Sequence, residues 1–99
     1  MKQFLVEVFV PRSTVGEVAA AEQRVLAATK RLSKKHPDLR YVRAIYVPED
    51  ENCFYVFEAS TAELVAQASA AAGLRDGRIV ETFDGTLLPA QQHIGGGTR

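Results

Sequence analysis

RYVRAIYVPEDENCFYVFEAST, residues 40–61, decides the fold. Residues 40–47 and 53–59 are apolar, β-branched and aromatic runs of strand length. The link between them, Pro48-Glu49-Asp50-Glu51-Asn52, is a polar turn too short for a crossover, so the two runs form a hairpin. Ser60 then opens a helix, with Glu63 three residues on in the manner of a capping box. Leu64, Val65, Ala68, Ala71 and Ala72 give that helix an apolar face, and Gly73 is placed to end it in the left-handed conformation.

Upstream of the hairpin, residues 3–10 alternate as a strand and Pro11 ends them. Ser13 and Thr14 with Glu17 make a second capping box. The helix they open keeps Val15, Val18, Val25 and Leu32 at near-helical spacing and stops before His36-Pro37. Downstream, Asp76-Gly77 turns the chain into a fourth strand, residues 78–83. The order is βαββαβ, which predicts an α+β, ferredoxin-like fold: a four-stranded antiparallel sheet in order 4-1-3-2 with both helices on one face. Residues 1–83 form the domain, and residues 84–99 a partly flexible extension ending in a glycine run, whose Leu87, Leu88 and Ile94 suit docking on a partner.

Composition narrows the function classes. Lys plus Arg equals Asp plus Glu at 12 each, so no overall charge draws the chain to nucleic acid. A basic group, Lys30 to His36, falls at a helix end, where it complements the helix dipole. The first residues are too briefly apolar for a signal peptide, no stretch is long enough to span a bilayer, and a single cysteine, Cys53, fits a reducing compartment. The expected location is cytoplasmic.

Strand parity points to the polar chemistry. Glu7, Arg43, Glu58 and Glu81 each interrupt an apolar strand, and alternation assigns all four to the sheet face away from the helices. Leu5, Phe9, Tyr41, Ile45, Val47, Phe54, Val56, Ile79 and Phe83 share that face; Val6, Val8, Val42, Ala44, Tyr55, Phe57, Ala59 and Val80 face the helices. So broad an apolar surface predicts a homodimer through the free face or its edges. Three acids against one arginine predict a negatively charged pocket, framed by Phe9 and Phe54, that needs a proton, a cation or a ligand. Cys53 reads as a small buried hydrophobe, His36 as a helix-end cation and His93 as a tail residue. No zinc-type spacing, nucleophile elbow or phosphate loop is present.

FLVE, YVRAIYV, CFYVFEAST and AAGLRDGRIVETF, across residues 3–83, resemble the small ferredoxin-like proteins grouped as a domain of unknown function and labelled nickel-binding or nickel-responsive. The resemblance implies dimerisation and a divalent metal, nickel, with Glu7, Glu58, Glu81, His36, His93 and Cys53 as ligand candidates. Members often carry a second cysteine inside the third strand, where this chain has Tyr55, so a thiolate-rich site is short of a ligand. The residues leave three readings open: a metal-binding dimer, an α+β-barrel-type enzyme or small-molecule carrier using the charged pocket, and an interaction domain in which the charges fix register.

Overall fold

A computed structural model of the protein describes residues 1–83. His93 and the docking expected of Leu87, Leu88 and Ile94 lie outside the described residues. The elements run β1 (Lys2–Phe9), a short 3-10 turn (Arg12–Thr14), α1 (Gly16–Leu32), β2 (Arg40–Val47), β3 (Asn52–Ala59), α2 (Ala62–Ala71) and β4 (Arg78–Thr82). The strands form one antiparallel sheet in order β2-β3-β1-β4, which read from the other edge is the expected 4-1-3-2. The fold is ferredoxin-like.

Both helices cover one face. Phe4 and Val6 of β1 and Cys53, Tyr55, Phe57 and Ala59 of β3 are buried with Val25 and Ala28 of α1 and Val65 and Ala68 of α2. Small alanines let the helices approach the sheet while the large side chains come from the strands. Burying each of the larger ones stabilises the fold by roughly 1.5–3 kcal/mol.

The helix starts differ from the capping boxes expected. Thr14 is spent in the 3-10 turn, its hydroxyl donating to the Pro11 carbonyl, and α1 begins after Val15 with no side-chain cap. The α2 cap is Thr61, whose Oγ1 accepts the Leu64 N–H at 3.4 Å. Ser60 instead donates its backbone N–H to Asp38. The α2 stop is as expected: Gly73 takes φ 73°, and N–H groups of Gly73 and Leu74 return to the carbonyls of Ala70 and Ser69 in a Schellman motif.

The hairpin carries more than a polar tip. Glu51 sits at φ 54°, its carbonyl accepts from Val10 N–H and its carboxylate from Arg12 N–H. The Arg12 guanidinium also donates to the Pro48 carbonyl. These bonds tie the hairpin tip to the turn that follows β1.

Two strands depart from simple alternation. The β2–β3 pairing runs Tyr41 to Phe57, then Arg43 to Val56, so Val42 is an inserted bulge residue. The bulge turns Tyr41 toward the helices, where its ring meets Phe57 edge-on at 5.3 Å and its hydroxyl donates to Glu22 Oε2 at 2.6 Å. Val42, expected inside, is 42% exposed. On β4, Ile79 opposes Val6 and Glu81 opposes Phe4, so both lie on the helix-covered face, and Val80, opposite Leu5, lies on the free one.

Candidate functional site

The free face can be rebuilt from the register. Partnered residues share a face, which gives one row of Ile45, Phe54, Glu7 and Arg78 and a second of Arg43, Val56, Leu5 and Val80. A third row is Arg40, Glu58, Gln3 and Thr82. Glu7, Arg43 and Glu58 are on this face as expected; Glu81 is not, because its strand pairs one residue out of the expected phase. Phe9 and Phe54 are there, with Phe9 65% exposed at the strand end.

The charge balance is the reverse of the expected one. Arg78 approaches Glu7 at 3.6 Å, and Arg40 approaches Glu58 at 3.8 Å. Asn52 Nδ2 also donates to Glu7 Oε2 at 3.1 Å. Arg43 is exposed and has no carboxylate partner among the described residues. Among the described residues two acids therefore face three arginines, and these form no acidic pocket. Arg40 and Arg78 escape a reading that looks only for charges inside apolar runs, since both sit at strand starts. For Arg78 the phase follows from Ile79: with that residue facing the core, Arg78, Val80 and Thr82 fall on the opposite face.

The metal candidates do not converge. Glu7 and Glu58 are on the free face, and Cys53 is fully buried on the opposite one, beside Tyr46 and Val8 in the pairing. Burial pushes the Cys53 thiol above its ordinary range, which disfavours the thiolate a metal needs. His36 closes the turn after α1 through its N–H bond to the Leu32 carbonyl. Among the described residues no group of three or more His, Cys, Asp or Glu is placed to hold a metal ion.

The sequence reading missed a second feature, on the helix side. A cleft of about 240 Å³ opens where the end of β1, the start of α1 and the α2–β4 loop meet. Buried Val10, Ala21, Tyr55 and Leu74 line its interior, and exposed Glu17, Arg24 and Arg75 also line it. Arg24 is held by its Nε bond to the Ala72 carbonyl at 2.8 Å, which also caps the end of α2. Burial first, and neighbouring Cys53 second, keep the Tyr55 hydroxyl protonated well beyond the ordinary phenol range.

This sheet, with two helices on one face and no described element on the other, defines a ferredoxin-like domain. No protein-family model matches the chain, and no curated protein matches it. The structure is similar to the crystal structure of SCO4226 from Streptomyces coelicolor A3(2), with a TM-score of 0.57 and 19% identity over 81% of this chain and 94% of that one. At that identity the likeness establishes the fold alone.

Proposed function

We propose that the protein is a homodimeric binding domain whose copies meet through the free sheet face and whose cargo is a small organic molecule. The free face supports the dimer, and the cleft on the helix side supports the cargo. Leu5, Phe54, Val56 and Val80 form an apolar centre, Ile45 is 39% exposed beside it, and the charges flank it in pairs. Apolar centre and polar border are the anatomy of a protein interface. Light scattering should give twice the chain mass, and Ile45→Asp should give the monomer mass with the helical circular dichroism intact. A parent protein that scatters as a monomer defeats the dimer. Val56 is the wrong place for the charge: it is only 5% exposed within one chain, so a charge there would unfold the protein as well.

A divalent ion, nickel, is the second reading, and the place of Glu7 favours it. Its carboxylate, held by the Asn52 amide nitrogen, lies on the face that a two-fold axis would double. Two copies would bring together the oxygen donors that one lacks. Nickel should then raise the melting temperature of the dimer, and Glu7→Gln should abolish the rise. No rise with the parent protein removes the metal reading and leaves the dimer untouched.

A further inference from the structure

We propose that the helix-side cleft binds a small monocarboxylate, with Arg75 and Arg24 meeting its charge and the apolar wall its body. The inference deepens the small-molecule part of the reading above and does not depend on the dimer, because one chain supplies every wall of the cleft.

The α2–β4 loop, Ala72 to Gly77, builds the site. Gly73 at φ 73° reverses the chain, and the Schellman bonds then drop Leu74 into the cleft, where it is 7% exposed. Asp76 takes a second positive φ, 57°, to lead the chain into β4. Arg75 lies between these two reversals and is exposed at the cleft. A Cβ at Gly73 would stand in ordinary contact with Arg24 Nε, at 3.9 Å, so it is the positive φ and not the arginine that calls for glycine there. The Arg24 bond uses Nε and leaves the terminal nitrogens of the guanidinium as donors.

Charge decides the class of ligand. Two guanidinium groups and one carboxylate, Glu17, line the cleft. Among the described residues neither arginine pairs with a carboxylate, since the ion pairs there are Arg40–Glu58 and Arg78–Glu7. The cleft therefore carries an excess positive charge beside its apolar interior residues. An arginine fork matches a carboxylate in shape as well as in charge. Size decides the rest. The volume is below the ~300–1,000 Å³ of pockets for drug-sized ligands, so the body is a single ring or a short chain.

The test is an amide-resolved NMR titration of the full chain with sodium benzoate, beside benzyl alcohol and benzylamine. Benzoate should shift the amides of Ala21, Leu74 and Arg75 saturably, with benzyl alcohol roughly tenfold weaker and benzylamine without effect there. Arg75→Ala should weaken benzoate about five- to tenfold at unchanged melting temperature, and Arg75→Lys should restore part of the loss. The proposal is overturned by equal shifts from all three probes, by no saturation up to about 10 mM benzoate, or by an Arg75→Ala protein that binds as before. Light scattering on the same samples separates the two readings. A monomer that binds benzoate defeats only the dimer, and a dimer that does not bind it defeats only the cleft.

Discussion

The Tyr41 hydroxyl lies 2.6 Å from a Glu22 carboxylate oxygen, a half-buried bond between β2 and α1. Burial first, and that carboxylate second, push the phenol well above its ordinary range, so it stays a donor at every pH the fold tolerates. A bond to a charged acceptor is worth about 1.5–3 kcal/mol when buried and less where water reaches it. Tyr41→Phe keeps the ring against Phe57 and removes only the donor. It should cost about 1–2 kcal/mol in urea unfolding, and no measurable loss would show that Glu22 finds water equally well. Asp38 is a second such tie, without burial. Hydrogen bonds from Ser60 hold its carboxyl below its ordinary value of 3.8. A carboxyl with its folded pKa lowered stabilises the fold above its unfolded pKa, and that contribution is lost as pH falls through the folded pKa. Asp38→Asn should therefore melt below the parent near neutrality, with the gap closing as pH drops past 3.8. A gap constant with pH would count against the bond.

At the scale of elements, the entry to β4 is the tightest joint. A Cβ at Gly77 would lie 2.7 Å from Val6 Cγ1 and 3.3 Å from the Leu74 carbonyl. Val6 is fully buried and cannot yield, so Gly77→Ala should destabilise by about 1–3 kcal/mol, as overpacking does. The same change in a Val6→Ala background should cost less, and purely additive losses in the double variant would refute the contact. The order and type of the elements were legible because hydrophobic period, the proline and glycine stops and the short hairpin all agreed. Faces were legible only where alternation is unbroken. In β2 the tyrosines at 41 and 46 are an odd number of residues apart, yet both turn toward the helices, because Val42 bulges out and each hydroxyl needs a partner: Glu22 for one, the Val10 carbonyl for the other. In β4 the phase was set by Ile79 packing against the core, a tertiary fact that one short strand does not announce. The cleft was not legible either, since Glu17 and Arg24 of α1, Tyr55 of β3 and Arg75 of the α2–β4 loop come from three separate parts of the chain.

At the scale of the whole molecule, the helices cover one side of the sheet, and among the described residues nothing covers the centre of the other. If two copies close that side, folding and association are coupled, and the fold must respond to its own concentration. Each tenfold rise in protein stabilises such a dimer by about 1.4 kcal/mol. With an unfolding entropy near 2.1 cal/mol/K per residue over two chains of 99 residues, that is roughly 3 °C in melting temperature per tenfold. Melting curves across a hundredfold concentration range should show this slope. Ile45→Asp should flatten it, because the variant unfolds as a monomer. Asp at position 45 also lies in the row of Glu7 and Arg78, away from the Arg24 and Arg75 cleft, so benzoate binding should survive in the same variant. A flat line for the parent protein would mean that the free face is not closed by a second copy. Its three arginines, two of them paired with glutamates and Arg43 without a carboxylate partner among the described residues, would then have to be explained by a partner of another kind.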